Sequence, residues 1–508
     1  MALNDIVFIK GQGGLGRPLT GEDFISALVF YTADGNLPSG WTTSKRIKLI
    51  SSLQEAEAAG IKSDYSDATA ATATYLITTK GNTGDTIQFK YTDATGKVRD
   101  LGTYTVVTGD NSIALQGAAI ASLINSGTLT HGCSAVFATA TLTITLPKSE
   151  GIYPNTGTPV AVVTTGAFAG TLTQAVVSGV ASKQAVWHYH IAEYFRLQPK
   201  GSLYVAFYAV PASYTFAEIA TIQAFSGGKI RQFGIFKDSA AFATADLTAI
   251  QAVCDNLDTI HQPVSSVLYG ANMASVSDLT TLTDLNTLNA PKASAVISQD
   301  GAGLGAFLYV TTGKSVTTLG ALLGAVSLSK VSEDIAWPEK FNISDGTECD
   351  TPAFANGTLV ANVSQSLLNT LDDRRYIFLI KYVGLAGSYF NDSHTAVVVS
   401  SDYAYIENNR TIDKAIRGVY SSLIRYINGP ITLNSDGTLK DTTVAFYESQ
   451  GSINLDQMVR DTELSAFSVV VDPAQNVLST GIVVVSIKLV PIGVARQITV
   501  NIGFTTKI

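Results

Sequence analysis

From residue 497 to 504, apolar and polar side chains alternate without a break. Ile498, Val500, Ile502 and Phe504 fall on one side, and Gln497, Thr499, Asn501 and Gly503 on the other. That period of two predicts a β-strand with one apolar face. Chain ends fray unless something holds them, so a clean strand here is expected to join a sheet, its own or a second copy's. Addition to a neighbour's open sheet edge links copies through main-chain hydrogen bonds. Residues 5–10 are also strand-like, with Ile6 and Phe8 as candidate donated side chains. Two strand-like ends suggest a subunit made to be stitched to its neighbours.

Between the ends the pattern changes three times. Residues 1–69 read as strand, glycine-rich turn, strand (24–31) and helix (44–59), the helix stopping at Gly60. Residues 70–181 are rich in Thr, Ala, Gly and Val and poor in charge. They predict short strands at 74–79, 86–91 and 141–146, a hairpin turn at Asp93-Ala94-Thr95-Gly96 and a helix at 112–124, together a small β-rich domain inserted in a larger one. From Trp187 onward, strands at 203–210, 232–236 and 265–269 alternate with helices at 215–223 and 243–257, the spacing of a βαβ layer. The region 182–350 is read as a central α/β domain and 351–508 as a C-terminal domain. The latter holds a strand at 376–382, helices near 408–428 and 452–465, and strands at 468–471, 481–489 and the terminus. The fold class expected is α/β (α+β), multidomain, with mixed sheets flanked by helices.

A chain of 508 residues is too long for one compact core. Charged residues make up 15%, against about 25% in ordinary domains, which suits a surface packed against copies of itself. The net charge of −8 comes without a basic block, so nucleic acid is not an expected partner. No apolar run is long enough to span a membrane, and the first residues lack the basic and apolar regions of a secretory signal. Cys133, Cys254 and Cys349 lie far apart in sequence and read as isolated thiols of a reducing compartment.

Candidate chemistry is sparse. Gly11-Gln12-Gly13-Gly14-Leu15-Gly16 has the spacing of a dinucleotide fingerprint, but Arg17-Pro18 follows and no crossover helix fits, so a turn is expected. His188 and His190 would share a face if the segment were extended, but lack a third ligand at metal spacing. No G-x-S-x-G elbow is present, and Asp372-Asp373-Arg374-Arg375 reads as a solvated turn. No catalytic, cofactor or metal site is expected. On the helix near 409–428, at about 100° per residue, Arg410, Lys414, Arg417 and Arg425 form one stripe. Ile412, Ile416, Val419, Tyr420, Leu423 and Ile427 fill the adjoining face. The apolar face is expected to pack on a sheet while the basic stripe looks outward, either solvated or aimed at an acidic partner.

Several segments taken in order resemble the sheath proteins of contractile phage tails and related injection systems. They are Asn409-Arg410-Thr411-Ile412-Asp413-Lys414-Ala415, Leu464-Ser465-Ala466-Phe467, the loop from Val471 to Thr480, and Val490-Pro491-Ile492-Gly493-Val494-Ala495-Arg496-Gln497-Ile498. Residues 382–392 match a glycine-containing loop with paired Asn and Asp. Gly13-Gly14-Leu15-Gly16-Arg17 and Leu319-Gly320-Ala321-Leu322-Leu323-Gly324 are similar to the Mu-like and Bacteroidetes-type branch. The resemblance implies a homo-oligomeric, six-fold helical sheath around an inner tube, with baseplate and tail-terminator partners, assembled in the bacterial cytoplasm and carried on a tail or injection particle. It implies that residues 1–69 hold an N-terminal arm, that 70–181 face outward, and that terminal strands join neighbouring subunits. Arg410, Lys414, Arg417 and Arg425 would then contact the tube. The competing readings are another tail or injection-system component (a tube or baseplate protein), a surface adhesin, or a cytoplasmic α/β enzyme.

Overall fold

The computed structural model describes residues 21–237 and 240–505; Ile6, Phe8 and the glycine-rich turn at 11–16 lie outside them. The chain enters through β1 (Ile25–Tyr31), whose side chains are buried on both faces, as a central parallel strand requires. β2 (Ile47–Ile50) and the short helix α1 (Leu53–Ala58) follow. The helix expected over 44–59 is thus half strand. The Ser52 hydroxyl accepts from the Glu55 N–H as N-cap, so the helix cannot begin earlier, and Gly60 ends the turn at φ 94°.

The chain then leaves for an inserted unit and returns at an adjacent point, where Thr69 and Val180 exchange backbone hydrogen bonds at 3.0 Å. The unit comprises β3 (Thr72–Thr79), β4 (Thr86–Thr92), β5 (Val98–Thr105), α2 (Ile113–Ser126), β6 (Ser134–Ala138), β7 (Thr141–Thr145), β8 (Val160–Thr164) and β9 (Ala169–Val177). Its strands form sheets of order β6-β7-β3-β9 and β5-β4-β8. Tyr75 and Phe89, one from each sheet, meet edge to face at 5.4 Å. They share a separate core with Ile120 and Ile124 of α2.

Beyond it lie α3 (Gln184–Leu197), β10 (Ser202–Tyr208), α4 (Glu218–Phe225), β11 (Gln232–Phe236), α5 (Thr244–Thr259), β12 (Ser266–Gly270), β13 (Ala293–Val296), α6 (Leu319–Leu328) and the two-residue strand β14 (Tyr376–Ile377). With β1 and β2 the strands make one seven-stranded sheet, β14-β13-β12-β11-β1-β10-β2, parallel except for the β2 edge. Leu28, Phe30, Val205 and Phe207 face α3 and α6, while Val29, Phe233, Ile235 and Val267 face α5. Because β14 pairs with β13, a boundary at 350/351 would cut this sheet. The C-terminal unit begins later.

His188 and His190 sit on α3, not on an extended segment. His188 Nε2 lies 2.9 Å from Glu57, and His190 is fully buried, its pKa pushed down to about 3 by that burial. Asp372–Arg375 is the end of a helix (Gln365–Asp373) and the turn after it, solvated only in part: Asp373 is exposed. Arg375 is buried at φ 72° over the Tyr405 ring, and Asp372 meets His394 at 2.9 Å.

The α3–α6 contact is close enough to depend on glycine. A Cβ at Gly320 would sit 2.1 Å from the His190 carbonyl oxygen, and one at Gly324 2.8 Å from that of Tyr194. Backbone atoms cannot swing aside as side chains do. Gly320→Ala is therefore expected to destabilise the central domain by about 1–3 kcal/mol, lowering the thermal midpoint. Gly35→Ala, where a Cβ meets nothing within 4 Å, should leave it unchanged.

Candidate assembly site

The C-terminal unit is built from α7 (Ile406–Leu423), α8 (Asp441–Arg460), β15 (Leu464–Val470) and β16 (Ser486–Pro491). α8 begins eleven residues before the helix expected at 452. β15 and β16 pair antiparallel and with no other strand among the described residues. Two strands alone are marginal, and the core they share with the helices contains only Ala415, Leu455, Met458 and Leu464 as buried apolar residues. Each strand presents an open edge, the kind of surface that recruits another strand.

The orientation of α7 is the reverse of the expectation. Its polar face is turned inward against the α/β domain. Arg410 is 2% exposed and donates to the Ser329 hydroxyl and to the carbonyls of Asp23, Ser329 and Lys330. Lys414 bridges Asp23 and Glu463 at 2.7 Å each, and Arg417 reaches Asp23 at 2.9 Å. Asp413 lies 3.3 Å from Lys292, and Asn409 donates to the Pro291 carbonyl. Three of the four stripe residues are thus engaged inside the subunit. Arg425, in the short turn after α7, is exposed. The physical reason is that loops and β-strand ends offer carbonyls and carboxylates to this face, so the basic side chains find their partners at home.

The apolar face consequently looks outward. Ile416 is 50% and Ile427 65% exposed. With Ile412, Val419, Leu455, Ile487 and Leu489 they line a groove of about 760 Å³ between α7 and the two-stranded sheet. Pro491 and Asn408 are also in its lining, and His261 stacks on Tyr420 with ring centroids 4.5 Å apart.

The segment after β16 contributes no residue to the lining of this groove. Residues 497–504 form no ladder among the described residues, and Ile498, Val500, Ile502 and Phe504 are 80%, 69%, 91% and 111% exposed. The root of the segment is held by Arg496, which pairs with Asp392, Asp334 and Glu407 and lies over the Tyr405 ring.

Electrostatics fix how firmly α7 is docked. Burial alone would raise the Asp23 carboxyl, but Lys414, Arg417 and Arg410 more than offset it and hold it below the usual carboxylate range. A depressed carboxyl contributes stability above its unfolded value, about 3.9, and loses it as pH falls through the lowered folded value. Glu463, raised by burial, has the opposite sign and loses its contribution as pH rises. Protection factors for exchange of residues 402–505, taken against unstructured amides at the same pH, should therefore fall below about pH 4, and Asp23→Asn should flatten that acid limb while weakening docking at neutral pH. An unchanged acid limb in the variant would remove Asp23 from the account.

Among the described residues no helix is long and apolar enough to cross a membrane. No curated protein matches the chain. Among solved structures it is similar to the helical sheath of the anti-feeding prophage in its contracted state, with 13% identity over 63% of this chain and 81% of that one and a TM-score of 0.43. It is also similar to a chain of the six-fold symmetrised baseplate of the same particle, with 12% identity over 63% and 80% and a TM-score of 0.44. A sheath tail protein from Desulfitobacterium hafniense aligns at 11% identity over 96% of this chain and all of that one, with a TM-score of 0.35. Two family models cover nearly the whole sequence, DUF2586, N-terminal domain, over residues 3–394 and DUF2586, C-terminal domain, over 402–508. Their junction falls just before α7, where the central sheet has been completed, and by these matches the chain belongs to the DUF2586 family.

Proposed function

We propose that the chain is the structural subunit of a contractile tail sheath. Copies polymerise helically, with six-fold symmetry, around an inner tube and between a baseplate and a tail terminator. Contraction then drives the tube through a target envelope. The observation that carries this is an alternating apolar segment left bare at 497–504 in a chain whose C-terminal unit also has an uncompleted two-stranded sheet and an apolar groove. In a polymer each copy supplies the strand and each copy receives one, which satisfies both surfaces at once. The ordered resemblance of 382–392 and 409–498 to sheath proteins supports the same reading, and so does the low charge of the surface.

The role requires no catalysis, cofactor or metal. Mesh strands keep subunits in register while rigid bodies repack between two arrangements, a population shift between two packings of one assembly. Of the four stripe residues, Arg425 is the one left to face an acidic tube surface, in a screened contact worth about 0–1 kcal/mol that release can break. The inserted unit at 72–177 would decorate the exterior. Assembly would take place in the bacterial cytoplasm.

The test is negative-stain electron microscopy of the chain expressed alone, beside Ile416→Asp. The wild type should form striated hollow tubes. The variant, altered at a half-exposed position, should keep the melting profile of the monomer and form none, because a carboxylate in the groove would be desolvated by the incoming strand. Tubes of normal yield from Ile416→Asp would sink the reading.

A further inference from the structure

The groove raises a question of self-occupancy. Eight residues, 497–504, span about 26 Å when extended, and the stretch of α7 and its following turn from 408 to 427 rises about 28 Å. The terminal segment is therefore long enough to lie along its own subunit's groove, and a strand that fills its own groove has nothing left to donate. In the structure it does not do so: all four of its apolar side chains are bare.

What holds it off is visible at its root. From 492 to 504, the only hydrogen-bonded tie to the rest of the described residues is the Arg496 side chain. Its Nε lies 2.9 and 3.1 Å from the two Asp392 oxygens, and its Nη2 lies 3.2 Å from Asp334 and also donates to Glu407. The guanidinium carbon stands 3.4 Å from the centre of the Tyr405 ring. Asp334, Asp392 and Glu407 are each less than a tenth exposed. They come from three separate segments: the loop after α6, the loop after Tyr389–Phe390, and the first turn of α7. The socket is preformed on the Glu407 side, where the Ser393 hydroxyl donates to the second carboxylate oxygen, and on the Asp334 side, where the Ala336 N–H donates. Three carboxylates around one guanidinium, closed by an aromatic face, make a site for Arg in particular, since its planar fork serves several acceptors at once where an ammonium cannot.

We propose that the Arg496 socket is a positioning device that keeps residues 497–504 out of their own subunit's groove and presents them to a second copy. It pins the segment at the N-terminal end of α7, on the junction between the α/β domain and the C-terminal unit. The strand then starts from a fixed point of the rigid core, and with Arg496 seated its four apolar side chains stand clear of the groove. This inference rests on the strand-donation reading above and adds to it the choice between self and neighbour.

The experiment compares the wild type, Arg496→Gln, and a neutral socket in which Arg496→Gln is combined with Asp334→Asn, Asp392→Asn and Glu407→Gln. The neutral socket removes the anchor without leaving carboxylates facing one another, and near-ultraviolet circular dichroism with a thermal melt establishes that it is folded. Polymer is scored by electron microscopy and sedimentation, and the amides of 497–504 by hydrogen exchange. The expected result is a folded monomer in which those amides are protected, the segment having closed on its own groove, and a loss of polymer of at least ten-fold. Polymerisation at the wild-type concentration overturns the proposal, as does a monomer whose terminal amides stay unprotected. A chain ending at Arg496 separates the two ideas. If it polymerises, strand donation itself fails. If it does not polymerise while the neutral socket does, only the positioning role fails.

Discussion

Subunits that end at Arg496 are expected to remain folded, soluble monomers under conditions in which the full-length chain forms tubes. The argument is one of area and position. Ile498, Val500, Ile502 and Phe504 bury almost nothing within their own subunit, so removing these four side chains takes away no core contact, and truncation after Arg496 is expected to leave the melting profile and the hydrogen exchange of residues 21–491 as they were. In an assembly the same four side chains would each contribute about 1.5–3 kcal/mol on burial, roughly 6–12 kcal/mol per junction before costs. Association takes back about 4–15 kcal/mol in lost rotational and translational freedom. A single donated strand is therefore a weak link, and stability of the tube comes from many of them closing a lattice together. Removing every strand removes the lattice, so the expected loss of polymer is complete rather than graded. Sedimentation of the truncated chain settles it, and normal tubes from that chain would falsify the donated strand. A peptide spanning 493–508, added to the truncated chain, should bind with protection of the groove residues Ile487 and Leu489 and still yield no tubes, because it links nothing.

The central sheet was legible because its strands are buried on both faces and therefore read as unbroken apolar runs: residues 232–236 of β11 match the expectation without a shift, and β10 and β12 lie within two residues of theirs. Short elements next to caps were less so. In 44–59 a strand of four residues and a helix of six share one apolar rhythm, and only the Ser52 cap separates them. The helix that carries His188 and His190 was not assigned, because two histidines in an aromatic run carry no period of their own. The deepest miss is α7. Its amphipathicity was read correctly, yet the sign was inverted, since a periodic pattern tells that two faces differ and not which one the subunit keeps. The rule that apolar faces turn inward presumes a chain that is complete alone. Here Asp23, Glu463 and the Ser329–Lys330 carbonyls, far away in sequence, claim the basic face, and no local signal announces them. The alternation at 497–504 is legible in sequence, and the segment carrying it is exposed and joins no ladder among the described residues; its Arg496 socket was not legible, because Asp334, Asp392 and Glu407 meet only in the fold.

The inversion of α7 can be measured directly by replacing Arg410 and Arg425 separately. Arg410→Met keeps the length of the side chain and removes its charge and donors, leaving the carbonyls of Asp23, Ser329 and Lys330 and the Ser329 hydroxyl facing an apolar group. Burial lowers the Arg410 pKa to about 10, so the guanidinium is still charged at neutral pH and its loss also strips Asp23 of part of its compensation. Deleting one member of a buried charged network costs on the order of 3–5 kcal/mol. Because the protein has several units, that cost should appear as local opening rather than as a shift of one global transition. The C-terminal unit, whose own apolar core is small, should detach first, with exchange across 402–505 accelerating by two or more orders of magnitude, about 1.4 kcal/mol per decade, while β1 and β10–β13 stay protected. Arg425→Met should leave the monomer as it was, and any effect should fall on the polymer, where an exposed cation at the end of α7 can meet a partner. If Arg410→Met left exchange unchanged while Arg425→Met opened the unit, the basic stripe would face solvent after all and the groove would be part of the core.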